Sequence, residues 1–409
     1  MDARREGGGQ LRRGGRLGHR AMNRLSRPRA FLLMSPLLLF LGLFFVWPLV
    51  SVIWQAVSDP AISRVLPRTA AEIGGWGGEG VPSDEVQAAF REDIVANTDD
   101  MAMGDVTRRL NSSQSGFRSL MGKTVREVRE TPDIALIEID DRWGETAFWK
   151  AIQDNASPYT DAFLLSALDL QRAGSGEIEA MPAGSSANRT IILRTLWISA
   201  IVTLCCLLIG LPYAMIAASV TGWKRAVMIA AVLLPLWTSL LVRTAAWMII
   251  LQESGIINQV LMGIGIISDP LVLIYNRAGV VIAMTHVLLP FMVLPIYSVL
   301  LTVPGNLMSA AASLGAHPVR AFLRVLLPLS LRGMISGMLL VFMSSIGYYI
   351  TPALVGGASD QMISSVIAFY ATQSANWSMA AALGLILLVL TLLLYALYNR
   401  LSRDPVPTR

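Results

Sequence analysis

Charge is scarce in this sequence. Of 409 residues, 15% are charged and 54% are hydrophobic. A soluble domain carries about a quarter charged residues to cover its surface, so this shortage excludes a water-soluble globule. The high apolar share excludes disorder, which requires low hydrophobicity. Cysteine is rarer still: Cys205 and Cys206 are the only two, too few for a disulfide scaffold. They are adjacent, and helical neighbours point about 100° apart, so they do not form a normal bridge and read as buried small apolar residues. The three histidines, His19, His286 and His317, are too scattered for a metal site. No Gly-x-Ser-x-Gly or His-Glu-x-x-His motif occurs. The sequence thus offers no catalytic constellation and no metal ligands. The class that remains is an all-α polytopic membrane protein.

The charges that are present are segregated. Residues 1–30 hold nine arginines and two acids, net +7. Residues 58–189 hold 13 basic and 22 of the 28 acidic residues, net −9. The remainder is again net +7, which leaves +5 for the whole chain. The pI near 9.4 does not indicate nucleic-acid binding, because the arginines flank apolar runs, where they set orientation.

A membrane span needs roughly 20 apolar residues. Six stretches qualify: Phe31–Gln55, Thr195–Val220, Ala226–Leu251 (interrupted by Arg243), Gly279–Val303, Gly333–Val355 and Ser378–Tyr398. All are predicted as helices, since no other open element satisfies its backbone in lipid. The first is too long for the core of a signal peptide and no small-x-small site follows it, so it reads as an uncleaved helix. The pairs Arg4-Arg5 and Arg12-Arg13 resemble those of a twin-arginine signal, but they read as part of a basic cytoplasmic tail.

Arginine and lysine placement orients the chain. The N-terminal tail is expected in the cytoplasm. The loop Thr221–Arg225, with Lys224 and Arg225, follows it there, as do Pro304–Arg332, with Arg320, Arg324 and Arg332, and the C-terminus, with Arg400, Arg403 and Arg409. The loop after span five carries Asp360 and no basic residue, as an outer loop should. The acidic insert then faces outside. Its start, Gly74-Gly75-Trp76-Gly77-Gly78, reads as a loop. Beyond Pro82 it reads as mainly helical, with Ser83-Asp84-Glu85 as a helix start. Ile134–Ile139 alternates weakly, which suggests a short strand. Thr146–Asp154 and Tyr159–Leu170 have helical periodicity. The expected organisation is a basic cytoplasmic tail 1–30, a first transmembrane helix 31–55, an acidic periplasmic insert 56–190, a core of five further helices 191–401 with an inside loop 304–332, and a tail 402–409.

Several motifs are weak. Gly116 and Gly122-Lys123-Thr124 nearly form a phosphate loop, but five residues separate the glycines where four are needed. The Asn-x-Ser/Thr sites at Asn111, Asn188 and Asn376 match a pattern common by chance. Gly333-x-x-x-Gly337 would let another helix approach closely. Polar groups inside spans are more telling, because each is costly unless it faces protein or water. Arg243 is the only full charge, and snorkelling to the outer face is its alternative reading. His286 and Tyr348-Tyr349 either line a pathway or pack between helices.

The long inside loop has a defined pattern. Ser309-Ala310-Ala311-Ala312-Ser313-Leu314 is a strong helix former. Gly315 ends it or permits a close contact. Pro318 suits the first turn of a second helix. Arg320 and Arg324 share one face, and Phe322, Val325 and Leu326 form an apolar one. Pro328 is expected to stop the segment before span five. Such a short amphipathic helix lies on lipid or docks in a protein groove.

The loop resembles the cytoplasmic signature of ABC-importer permeases: Glu-Ala-Ala, three residues, Gly, nine residues, Ile or Val, x, Leu-Pro. Ala310, Ala311, Gly315, Val325, Leu327 and Pro328 match in register; Ser309 stands where the family usually has Glu. Leu234-Pro235-Leu236-Trp237-Thr238-Ser239 with Val242-Arg243-Thr244 and Trp247 is similar to span three of spermidine/putrescine-type permeases. Gly255-Ile256-Ile257-Asn258, Leu289-Pro290-Phe291-Met292 and Tyr349-Ile350-Thr351-Pro352 extend the likeness over residues 190–401. The stretch from Ala147-Phe148-Trp149 to Asp169-Leu170 looks like the outer insert of a long-chain subgroup.

The resemblance implies a permease subunit in the bacterial inner membrane that pairs with a second, similar permease. A dimer of separate ATPase subunits would bind the ATP, leaving this chain without a cofactor of its own. A periplasmic solute-binding protein would deliver a small, polyamine-like solute. Ser309, Ala310, Ala311, Gly315, Arg320, Phe322, Arg324, Val325, Leu327 and Pro328 would form the coupling surface, with anionic membrane lipid as the other partner for the arginines. Trp237, Arg243, Trp247, His286, Tyr348 and Tyr349 are the candidate pathway residues. Opines, amino-acid derivatives and iron chelates are alternative solutes. A membrane sensor with an outer ligand domain is a rival of another class, but it requires a cytoplasmic output domain where this sequence has short loops.

Overall fold

The computed structural model describes residues 27–172, 177–182, 184, 186–374 and 376–401. The twin-arginine pairs, His19, residues 1–26 of the basic tail, and the C-terminal tail with Arg403 and Arg409 lie outside them. Contacts divide the chain into two units, 1–54 and 55–409. The first contains most of helix α1, which runs through Arg27–Leu41, a π turn at Gly42–Val46 and Trp47–Val57.

The second unit begins with a helical insert: α2 (Ala61–Val65), α3 (Pro67–Glu72), α4 (Asp84–Ala96), α5 (Asp100–Ser113), α6 (Phe117–Glu130), α7 (Leu136–Ile139), α8 (Thr146–Asp154) and α9 (Ala162–Ala167). Phe90, Phe117, Trp143, Phe148 and Trp149 form an aromatic centre, and Trp143 and Trp149 are almost wholly buried. Buried indoles need acceptors. Trp143 donates to the Thr124 hydroxyl at 2.9 Å and Trp149 to the Trp143 carbonyl at 2.8 Å. The near phosphate loop is therefore structural. Gly116 precedes α6 at φ +106°, Thr124 faces the core, and the Lys123 ammonium donates to the Ile139 carbonyl at 2.9 Å. Asn111 accepts from the Gly116 and Arg118 amides, both at 3.1 Å.

Two local expectations fail here. Leu136–Ile139 is helical, not a strand; Leu136 and Ile139, one helical turn apart, both point into the core. Of Tyr159–Leu170 only Ala162–Ala167 is helix, because Asp169 takes the left-handed conformation, φ +55°, and turns the chain. Leu170 then opens β1 (Leu170–Arg172), which pairs antiparallel with β2 (Ile178–Ala180). The segment entering the helical insert is paired with the segment between α8 and α9: the Asp59 amide donates to the Pro158 carbonyl at 3.0 Å, and the Thr160 amide to that of Val57 at 2.9 Å.

The apolar core comprises α10 (Asn188–Ser219), α11 (Gly222–Trp237), α12 (Leu240–Ile250), α13 (Ile256–Gly263), α14 (Arg277–Leu300), α15 (Leu307–Ser313), α16 (Pro318–Ile346), α17 (Ile350–Val355), α18 (Ile363–Thr372) and α19 (Trp377–Leu401). Among the described residues, five helices are long and apolar enough to cross a membrane, and six if the bent pair α11–α12 counts as one span. Helices α10, α14 and α16 pack together as the centre. Their approach is set by glycines. A Cβ on Gly333 would stand 2.8 Å from the Pro295 carbonyl oxygen, and one on Gly210 would stand 2.9 Å from Met292 Cγ. The Gly333-x-x-x-Gly337 reading of close helix approach thus holds, with α14 as the partner. Cys206 is buried and its thiol donates to the Thr285 carbonyl at 3.5 Å; both cysteines are free.

Four span boundaries differ from the apolar pattern. Gly222 already starts α11, so Lys224 and Arg225 sit in its first turn rather than in a loop. Span three is not continuous: α11 and α12 meet at 101° across Thr238 and Ser239, which are extended. Pro235, without an amide N–H, lies in the turn where α11 ends. Pro328 does not stop the inside segment. It lies in continuous helix beside a π turn at Phe322–Leu326, whose wider ring makes room for a residue with no N–H to give. Span five is therefore α16, beginning at Pro318 and ending at Ile346, and Ile350–Val355 is a separate short helix.

Candidate functional site

The break in span three organises the polar residues. The last carbonyls of α11 have no helical partner, and a helix C-terminus carries partial negative charge. Arg243, in the first turns of α12, reaches back across the break: its Nη2 donates to the Thr238 carbonyl at 2.9 Å and its Nε to the Thr238 hydroxyl at 3.3 Å. The guanidinium is thus held by the helix end it caps, and snorkelling is unnecessary to explain it. One residue on, the buried Thr244 hydroxyl meets that of Thr351 in α17 at 3.2 Å. One turn further, Trp247 Nε1 donates to His286 Nδ1 of α14 at 3.2 Å, with the rings edge to face at 5.4 Å.

Tyr348 lies half-buried in the turn after α16, where its carbonyl accepts the Ser364 hydroxyl at 2.7 Å. Tyr348 also packs against the buried core of α10, α14 and α16. The fold therefore gathers Arg243, Trp247, His286 and Tyr348 where α12, α14 and the end of α16 meet. Trp237 is 80% exposed at the tip of α11, and Tyr349 is 46% exposed, so neither is drawn into this cluster by its side chain. The cluster offers aromatic faces, an imidazole and hydroxyls. The spans contribute no carboxylate among the described residues. Such groups can stack on and hydrogen-bond a small molecule.

The inside segment has a second geometry. Helix α15 ends in a left-handed glycine: Gly315 has φ +80°, its amide donates to Ala312 at 2.9 Å, and the Ala316 amide donates to Ala311 at 3.0 Å. This pair of bonds is the Schellman closure, which favours glycine because a Cβ is strained there. His317 is extended and Pro318 opens α16 at its first turn. Ser309, Ala310, Gly315, Arg320 and Arg324 are exposed, and Leu314 is 88% exposed. Phe322, Val325 and Leu327 are half-buried, and Leu327 packs against the central bundle. The result is a short exposed helix joined by a fixed turn to one of the three central helices.

Residues 181–405 match the family described as binding-protein-dependent transport system inner membrane component. The chain belongs to this family. It is 35% identical over 213 residues to the spermidine/putrescine transport system permease protein PotB of Haemophilus influenzae, covering 52% of this chain and 74% of that protein. It is 32% identical to PotB of Escherichia coli strain K12, of which it covers 78%. Among solved structures, it is similar to a chain of a bacterial alginate ABC transporter complexed with an alginate-bound periplasmic protein. The TM-score is 0.44 with 19% identity, covering 53% of this chain and 78% of that one.

As an ABC-importer permease of the inner membrane, the chain places both clusters within the matched region, while 1–180, and with it the helical insert, lies outside. Sequence reasoning missed three polar contacts that fix the permease core. Thr244 and Thr351 are ordinary threonines until the fold joins them. Arg277 pairs with the buried Asp360 at 3.2 Å, tying the start of α14 to the loop after α17. Asp169 caps α10 from a distance. Only Asp360 gave a local signal, as a lone acid in an apolar region.

Proposed function

We propose that this permease forms half of a transmembrane pathway for a small, polyamine-like solute, with a second, similar permease forming the other half. A periplasmic solute-binding protein delivers the solute to the outer face. A pair of separate ATPase subunits binds ATP and docks on the segment 309–329. Both chain termini are cytoplasmic, and the domain organisation is the one the charge pattern implies, with residues 56–190 as a periplasmic insert that meets the binding protein. The exposed helix α15 carries this reading. It has no apolar face buried in the chain, its closing turn is held by two hydrogen bonds, and only the turn at Leu314–His317 separates it from α16. A push on α15 therefore reaches the glycine-packed centre of the bundle. The cluster of Arg243, Trp247, His286 and Tyr348 lies at the opposite end of α16, where such a push would alter the break in span three. Similarity to the PotB permeases supports the solute class.

A second solute reading, an opine, amino-acid derivative or iron chelate, is favoured by the absence of carboxylates from the spans, since ammonium groups are usually met by acids or aromatic faces. The two are separated by measuring which solute the partner binding protein takes up. Purification tests the assembly: a stable complex with an ATPase supports the proposal, and isolation as a lone protein contradicts it. Labelling of an engineered Ser113→Cys in intact cells tests the topology, and labelling only after lysis would overturn it.

A further inference from the structure

Asp169 is buried, 4% exposed, between α9 and β1, in a left-handed conformation that residues other than glycine rarely adopt. Its Oδ1 accepts the amides of Ala187 at 3.1 Å and Asn188 at 3.0 Å, and its Oδ2 accepts that of Arg189 at 2.7 Å. Those are amides that α10 cannot satisfy within its own first turn. The helix returns the contact. Asn188 Nδ2 donates to the Ser166 carbonyl at 2.8 Å and Arg189 Nε to that of Leu168 at 2.7 Å, both at the C-terminal end of α9. The electropositive start of one helix and the electronegative end of another are stitched through a single carboxylate and two side chains.

The stitch lies on a continuous set of contacts. Phe163 and Ala167 of α9 are buried with Ile363 of α18 and with Met379 and Ala382 of α19. Arg109 of α5 stacks over the Phe163 ring at 4.8 Å and pairs with Asp59 at 2.5 Å. The insert thus grips α19 through α9, and α10 through Asp169.

We propose that Asp169 is a positioning residue that makes the insert and the adjoining ends of α10 and α19 move as one body, so that a load on the insert is transmitted to the spans. The residue itself touches no solute. The source of the load, a docked solute-binding protein, rests on the proposed function; the mechanical link does not.

The test uses the full chain in its purified complex. Nitroxide labels are placed at Ser113→Cys in the insert and Leu193→Cys on α10, with Cys205 and Cys206 replaced by alanine. The inter-label distance distribution is expected to be narrow and to broaden in Asp169→Ala. Asp169→Asn, which keeps one acceptor oxygen, is expected to fall between and serves if the alanine variant does not fold. A distribution unchanged in both variants overturns the link. In parallel, ATP hydrolysis is measured with and without the solute-binding protein. Stimulation is expected to fall at least fivefold in the variant, with basal hydrolysis unchanged. A broadened distribution with full stimulation overturns transmission, since a purely structural cap behaves that way. Absence of stimulation in the unaltered complex would count against the transporter reading, and the distance measurement would still decide the link.

Discussion

Gly337 packs directly on Met292: a Cβ added to the glycine would stand 2.9 Å from the methionine sulfur and 3.0 Å from its carbonyl oxygen. The sulfur could swing away, but the carbonyl belongs to α14 and could yield only if the two helices separated. Met292 also fills the space beside Gly210, so one side chain sets the spacing of three helices.

Gly337→Ala is therefore expected to destabilise the core by about 1–3 kcal/mol, the usual cost of overpacking, and Gly337→Leu to prevent a stable fold. Thermal unfolding of the detergent-purified chain checks this. Met292→Ala in the Gly337→Ala background should not recover the loss, because the carbonyl contact remains and the truncated, buried Met292 leaves a cavity.

Gly315 has a different requirement. Nothing lies within 4 Å of a Cβ there, so space is ample and the backbone angle alone selects glycine. Gly315→Ala should strain the turn by about 1–2 kcal/mol, and Gly315→Asn by less, since asparagine tolerates the left-handed region. Gly315→Glu should abolish solute uptake while leaving membrane insertion intact, because the turn is exposed where docking is proposed. Uptake assays beside membrane-fraction yields give the answer, and unchanged uptake would remove the coupling role.

Arg243 should matter by geometry more than by charge. Arg243→Lys keeps the cation but cannot present Nε and Nη2 together to Thr238. We expect both Arg243→Lys and Arg243→Ala to increase protease cleavage at 236–240, the alanine variant more strongly. Equal protection in both would show that the break holds without its cap.

The insert's response to acid follows from Asp140. Arg142 donates to both its carboxylate oxygens, at 2.8 and 3.0 Å, and this hydrogen bonding holds the carboxyl well below the usual carboxylate range. A depressed folded value means the linked stability is complete above the unfolded value of about 3.9 and is lost as pH falls through the folded one. Asp140→Asn should thus weaken the insert at pH 7, by about 1.5–3 kcal/mol for hydrogen bonds to a charged group, and the difference should vanish in strong acid. Tryptophan fluorescence of the full chain reports this through Trp143 and Trp149.

Helices whose formation depends on local pattern were legible in the sequence. The apolar spans, the helix start at Ser83 and the helix Thr146–Asp154 were all readable because their signals lie within a turn or two. The break at Thr238 was not, because 226–251 is uniformly apolar. Proline alone did not mark it, since Pro212, Pro290 and Pro295 sit inside unbroken helices. The segment 309–329 was readable as two helices with a glycine turn, yet Pro328 misled, because a π turn leaves no composition signal. Asp169 was invisible as a cap: its partners begin at Ala187, and only the fold makes them neighbours.

The pairing at the base of the insert has a consequence for its independence. Val57 and Thr160 are joined by one hydrogen bond, and Asp59 and Pro158 by another. Everything between these residues, α2 to α8, therefore spans no more distance than a tight turn. The stretch α2 to α8 can be lengthened or shortened without drawing Val57 and Thr160 apart, because loop closure at the junction is already complete.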